Sequence, residues 1–418
     1  MTTLALHGGT PVIDNAASHF TWPPITPAMT SAVLEQLAAS ISIYDRSGVI
    51  ADLEDALQRF FAVDHAVLTS SGTAAIHSAY AAVGIEPGDE VIVPAYTFLA
   101  TVTPLLHLDA IPILADSDGT GNVCAADVES RITPRTAAIM VTHLWGIPAD
   151  MNALCDLAKR YDLAVLEDAS HAHGASIDGR KVGTFGDIGA FSMNGPKPLS
   201  AGEGGFVLTN SNESYYRLLM FGHYNKRCRS EIPKMHPLQR YSVTGMGLKF
   251  RIHPLAARIA LDQLRHLNDY LDGRDKIARY LCTHLGDLPG ITVPEHHDGM
   301  RAAWYGLPLT YDPGQLDGLP VDIVHSALLA EGLVEVDRPG STRPLNQLPL
   351  FQDPAGLLGS HRNTRFSYRD GEFPVAEHTW AHTLKLPVWH RDEDMLLVDR
   401  YIEGFRKVID NHHELRHS

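Results

Sequence analysis

Seven short, unbroken apolar runs, most of them separated by helix-length segments, constrain this chain more than any other feature. They read HAVLT (65–69), EVIVP (90–94), IPILA (111–115), AAIMVT (137–142), LAVLE (163–167), IGAFS (188–192) and GFVLT (205–209). Their apolar residues are contiguous and do not alternate, the pattern of strands covered on both faces. Segments of helical length, such as 73–84, 150–161 and 211–221, lie between most of them. The pattern predicts βαβ units and a mainly parallel sheet.

The flanking regions complete an α/β chain: a large domain whose mostly parallel sheet is covered by helices, and a smaller C-terminal α/β domain. Residues 1–25 carry Gly8, Gly9, Pro11, Pro23 and Pro24 and read as an irregular N-terminal arm. A helix is expected next, with Thr26 as its cap, Pro27 in its first turn, and Met29, Val33, Leu34 and Leu37 on one face. A second is expected over Val49 to Phe61. The large domain is placed at 26–272, ending in a helix over Pro254 to Leu271. The small domain is placed at 273–418, with helices near 275–287, 320–331 and 392–410 and strands near 291–294 and 304–309.

Charge and composition exclude several classes of function. The 418 residues hold 34 Lys and Arg against 49 Asp and Glu, a formal net charge of −15. An acidic chain suits neither nucleic-acid backbones nor anionic membranes, so neither partner is expected. No uncharged apolar stretch approaches the ~20 residues that span a bilayer, and MTTLALHGGTPV lacks the pattern of a signal peptide. Four dispersed cysteines (Cys124, Cys155, Cys228, Cys282) form no CxxC pair. A reducing cytoplasm fits, and neither a disulfide framework nor a metal centre is expected.

Four stretches at strand ends carry chemistry. Ser70-Ser71-Gly72-Thr73-Ala74 precedes a helix, where free N–H groups and the helix dipole attract an anion; a plain capped helix start reads the same way. Glu167-Asp168 stands at a strand's carboxyl end, where α/β sheets place ligands, although a structural ion pair is the ordinary alternative. His171 and His173 follow, but their spacing does not put two metal ligands on one helix face. Lys197, one of only nine lysines, lies in the Gly/Pro-rich run 191–205. A lysine withheld from water there has a lowered pKa and can form a Schiff base; a surface lysine in a flexible loop is the alternative. In Tyr96-Thr97-Phe98 an aromatic can stack on a planar cofactor or simply fill a core. The order of phosphate cradle, aromatic, strand-end aspartate and then lysine suits pyridoxal 5′-phosphate (PLP), whose ring needs a protonated nitrogen and an aldehyde partner.

SSGTAAIHSAYAAVGIEPGDEVIVPAYTFLATVTP, HLWGIPADM, LEDASHAHGA and FSMNGPKPLSAGEGG resemble the DegT/StrS family of PLP-dependent sugar aminotransferases, which have the aspartate-aminotransferase fold (fold type I). LHGGTPV and FRIHPLAARIALDQL do so too, and RPLNQLPLF and HTLKLPVWH resemble it more loosely. The resemblance implies PLP bound covalently to Lys197, with pyridoxamine 5′-phosphate as the intermediate form, and Lys197 as the proton shuttle. It implies that Asp168 pairs with the pyridine nitrogen, Phe98 stacks on the ring, and His171 lies beside it. Gly72 and Thr73 would bind the phosphate by backbone N–H, with the Ser192 hydroxyl nearby. It further implies a homodimer with shared active sites, in which a partner-chain loop reaches the phosphate.

That loop is usually Asn-Tyr-Arg, whereas this chain has Lys249-Phe250-Arg251; Lys249 is expected as the partner-chain contact. Pro196 and Pro198 bracket the lysine in place of the family's usual small or polar residues. His223, Tyr224, Arg251, Arg338 and Arg343 are expected to face substrate. The implied activity moves an amino group from Glu, Gln or a similar small-molecule donor to a keto-sugar or keto-cyclitol, in amino-sugar or antibiotic biosynthesis. The alternatives are keto-sugar dehydration, amination of an amino-acid-like or nucleoside-derived ketone, and a non-catalytic PLP-binding regulator.

Overall fold

The computed structural model describes residues 3–14, 17–359 and 365–417. Residues 1, 2, 15 and 16 of the expected arm, and 360–364 and 418 of the expected small domain, lie outside it. The apolar runs form the central sheet: β1 (His65–Thr69), β2 (Glu90–Pro94), β3 (Ile111–Ala115), β4 (Thr136–Thr142), β5 (Ala164–Asp168), β6 (Ile188–Ser192) and β7 (Gly205–Thr209). Their order across the sheet is β1-β7-β6-β5-β4-β2-β3. Only β7 runs antiparallel to its neighbours. Helices bury the strands on both faces, which explains why the strands are contiguously apolar.

α1 (Pro27–Ala39) starts as expected, with the Thr26 hydroxyl accepting from the Met29 N–H at 3.1 Å. Its expected inner face is corrected: Met29 and Ala32 are buried, whereas Leu34 and Leu37 are 60% and 52% exposed. α2 (Gly48–Phe61) buries Leu53, Leu57 and Phe61 against the sheet side that also holds Phe191 and Phe206.

A second correction concerns the region around residue 272. The helices expected at 254–271 and 275–287 are one helix of 32 residues, α3 (Pro254–Leu285). Its first half, through Leu271, packs in the core under the large sheet. From Ile277 onward it packs in a second core with the small antiparallel sheet of β8 (Ile291–Thr292), β9 (Leu307–Tyr311) and β10 (Thr383–Leu386), and with α4 (Met395–Asp410). The N-terminal arm belongs to this second core through the fully buried Leu4. The stretches 345–359 and 365–376 return to the large core through Phe351 and Phe373. Among the described residues no helix is long and apolar enough to cross a membrane.

The polar stretch Asp272-Gly273-Arg274-Asp275 looks like a helix break in sequence, but Gly273 stands there for a steric reason. A Cβ at that position would lie 2.0 Å from the carbonyl oxygen of His390, which passes directly over the helix. Gly273→Ala should therefore destabilise the fold by about 1–3 kcal/mol despite alanine's better helix propensity, read as a lower Tm in calorimetry. A variant as stable as the parent would remove this account of the long helix.

Candidate active site

The carboxyl ends of the parallel strands open into one cavity of about 390 Å³. Gly72, Thr73, Phe98, Asp168, His171, Ser192 and Lys197, which sequence reasoning placed at the cofactor, all line it. A helix (Gly72–Val83) begins at the cavity wall, and the Ser71 hydroxyl caps it by accepting from the Ala74 N–H at 3.1 Å. The first N–H groups of that helix remain available to an anion. Gly72 is required by contact: a Cβ there would stand 2.4 Å from the Ser192 Cβ.

Asp168 ends β5 and points into the cavity. Its Oδ2 accepts from the Thr101 hydroxyl at 2.7 Å and its Oδ1 from the Ser170 N–H at 3.1 Å. Thr101 in turn meets Thr97, which meets Thr142, so a buried chain of hydroxyls fixes the carboxylate. These threonines were not singled out from sequence as site residues. They come from three separate elements, and only the close approach of Thr97 to the cofactor motif hinted at them. Phe98 is 40% exposed and faces the cavity, while Tyr96, two residues back, is the core aromatic.

Lys197 is set in a tight turn. Its N–H donates to the Asn194 carbonyl at 2.9 Å, and its carbonyl accepts from the Trp22 indole of the N-terminal arm at 2.8 Å. Its Nζ lies 4.4 Å from the centre of the Tyr305 ring. Burial pushes this amine down to about 8; Asp168 opposes the shift and Lys385 adds to it. Tyr305 stacks on His171 with ring centres 4.1 Å apart, and Trp145 lies nearly parallel to both, 5.7 Å from His171 and 6.1 Å from Tyr305. Trp145 adopts φ 57°, a left-handed turn that aims its ring at His171. Burial first, then Lys197, holds the His171 imidazole well below its ordinary range, so it is neutral. His171 Nδ1 is buried without a protein partner. Trp145 lies within the HLWGIPADM motif without being singled out there, and Tyr305 carried no sequence signal; both reach the site through tertiary packing.

The remaining expected residues lie elsewhere in this chain. His223, Tyr224, Lys249 and Arg251 line a separate cavity of about 180 Å³. His223 is buried, with its pKa held well below the usual range by burial and then by Arg227 and Arg251. The Arg338 guanidinium is turned onto the carbonyls of Thr383 and Ala381 and the Asp322 carboxylate. The Arg343 guanidinium rests on Trp380 at 4.5 Å and reaches Gln347. Neither arginine is among the residues that line the cavity holding Lys197.

With this geometry in view, the comparisons with known proteins agree. Residues 34–395 match the DegT/DnrJ/EryC1/StrS aminotransferase family, and the chain belongs to it. It is thus an aminotransferase of the PLP-dependent class, with the α/β fold of that class. A Micromonospora echinospora protein, provisionally named an L-glutamine:3-amino-2,3-dideoxy-scyllo-inosose aminotransferase, is 33% identical over 366 residues, covering 85% of this chain and 84% of its own. An aminotransferase from Psychrobacter cryohalolentis superposes with a TM-score of 0.83 at 25% identity, over 94% of this chain and 99% of its own. DesI, solved in the presence of its TDP-sugar product, superposes with a TM-score of 0.77 at 26% identity, over 98% and 99%.

The donor set fits PLP on the observations above: a cradle that a Cβ at Gly72 would fill, a positioned carboxylate, an enclosed amine and an unpartnered imidazole nitrogen. Gly72→Ala should weaken PLP binding at least ~tenfold, and adding Ser192→Gly should recover part of the loss, both measured by equilibrium titration of the apoenzyme. An amine condenses with an aldehyde only in its free form, whose fraction rises with pH up to its pKa. Condensation of Lys197 with an added aldehyde in the apoenzyme should therefore accelerate ~tenfold per pH unit below about 8 and level off above it, where an unshifted lysine would still be climbing toward 10.5. Stopped-flow absorbance across pH 6–10 measures this.

Proposed function

We propose that this chain holds PLP covalently through Lys197 and transfers an amino group from a Glu- or Gln-like donor to a keto-sugar or keto-cyclitol. The single observation that carries the reading is the convergence of Lys197, Asp168, Phe98, His171 and the Gly72 cradle on one cavity. A relative named as a scyllo-inosose aminotransferase, a neighbour solved with its TDP-sugar product and a relative named for erythromycin biosynthesis support the acceptor class and a place in amino-sugar or antibiotic biosynthesis. Keto-sugar dehydration and a non-catalytic regulator are not favoured in an aminotransferase family whose amine and carboxylate stand here together in one cavity.

When bound, PLP supplies an electron sink. Asp168, fixed by Thr101, would hold a proton on the ring nitrogen and so maintain that sink. Gly72 and Thr73 would bind the phosphate by backbone N–H, with the Ser192 hydroxyl adding to them, and neutral His171 and Phe98 would hold the ring by contact. Lys197 Nζ, released when a substrate amine takes its place on the cofactor, would accept a proton from the substrate carbon and return it; a lowered pKa suits that task near neutral pH.

A homodimer is part of this reading. Ile25, Leu34, Leu37 and Ile41 leave an exposed apolar strip on the arm and first helix. Lys249 and Arg251 lie outside their own chain's cavity, as residues directed at a partner's phosphate or at an anionic substrate would. Lys197→Ala should abolish turnover, and Asp168→Asn should lower kcat by ~10²–10³-fold. The assay supplies L-glutamate or L-glutamine, follows loss of the cofactor's visible band, and then adds keto-cyclitols, nucleotide-linked keto-sugars and keto acids to the pyridoxamine form. Failure of every amino donor to bleach the band, or turnover retained without Lys197, would overturn the assignment.

A further inference from the structure

We propose that Lys385 is a positioning residue for Lys197: its ammonium, anchored by Asp337 at the far end of the aromatic stack, sets how readily the reacting amine releases its proton. This rests on the reading that Lys197 is the reacting amine. Lys385 lies in β10, in a part of the chain that no step above uses. Its backbone is clamped to Asp337 in both directions, N–H to carbonyl at 2.8 Å each way, and its Nζ meets the Asp337 carboxylate at 2.9 Å. Its stem runs past Gly306, where a Cβ would come within 3.0 Å of the Lys385 Cδ. The ammonium is thereby delivered 5.3 Å from the centre of Trp145. Trp145 lies parallel to Tyr305 at 6.1 Å, and Tyr305 carries Lys197 Nζ on its face. Two cations are thus held around one apolar stack that admits little water.

The counter-charge does not cancel this field. The Asp337 side chain is 56% exposed, whereas that of Lys385 is 21% exposed. Water screens the carboxylate more than the ammonium, so part of the positive field acts inward. The neighbouring Arg338 is bound to Asp322 and to two carbonyls. Facing Lys197 are Asp168, which favours its protonated form, and Lys385, which opposes it. His171 and His173, both buried, are held neutral, and Lys385 also helps to depress His171. The second cation therefore raises the fraction of free amine near neutral pH and adds, behind burial and Lys197, to what keeps the His171 imidazole uncharged.

The test uses the full chain stripped of cofactor and trinitrobenzenesulfonate as an amine probe, with modification of Lys197 followed by peptide mass across pH 6–10. The parent midpoint is expected at about 8. Lys385→Met should raise it by ~0.3 pH unit or more, Lys385→Arg should restore it, and Asp337→Asn, which unmasks the ammonium, should lower it. A residue with only a structural role would not produce shifts of opposite sign. An unmoved midpoint in Lys385→Met, or the same direction in Lys385→Met and Asp337→Asn, overturns the proposal. Borohydride reduction of the PLP-loaded parent keeps the two readings apart: a label on another lysine would refute the role of Lys197 itself.

Discussion

A carboxylate with no access to solvent holds the mouth of the sheet together. Glu167 is fully buried and accepts from the N–H groups of Gly183, Phe185 and Gly186 and from the His143 side, at 2.6 to 3.0 Å. Leaving three such donors unpaired in the interior costs on the order of several kcal/mol, so the loop 183–186 has one way to lie. That loop feeds β6, and His143 follows β4, so the ends of three neighbouring strands share one anchor. Side chains alternate along a strand. With Glu167 committed to one face of β5, Asp168 is committed to the other, where Thr101 and the cavity wait. The two adjacent acids have separate duties because the strand separates them.

How much of this is legible in the sequence depends on whether the cause is local. The seven strands of the central sheet appear at their expected positions within a residue, since an apolar run bounded by turns needs no tertiary information, whereas the small-domain strand expected near 304–309 lies at 307–311. The long helix does not, because Gly273 and its charged neighbours suggest a break. Only the His390 carbonyl, more than a hundred residues later, explains why glycine is there. The site divides in the same way. Ser71-Gly72-Thr73, Asp168 and Lys197 sit at strand ends that periodicity locates. Tyr305 and Thr142 enter by packing, and a phenol or a hydroxyl in isolation announces nothing; Trp145 and Thr101 lie in motif stretches, but only packing shows what they touch.

The arginines illustrate a further limit. A basic residue in a loop near a site suggests an anion partner, and Arg338 and Arg343 invite that inference. Arg338 instead holds backbone carbonyls at the end of β10, and Arg343 lies over an indole. Guanidinium groups satisfy orphan carbonyls as readily as they bind ligands, and a sequence does not reveal which partner is nearer. Their engagement also leaves the cavity poor in cations, with Lys197 the one lysine or arginine on its wall among the described residues.

That poverty of charge bears on how an acidic protein binds an acidic cofactor. A net charge of −15 disfavours long anionic partners, whose affinity depends on many cations along an extended surface. A small phosphate needs only the N–H groups at the start of one helix, where the dipole concentrates positive potential over a few ångströms. The proposed covalent bond to Lys197 would supply the rest. Within ~10 Å the local field prevails, because salt screens the distant carboxylates and does not reach the enclosed amine. The chain's overall charge therefore governs which large partners it avoids, and two lysines around one aromatic stack govern the proton on which the chemistry turns.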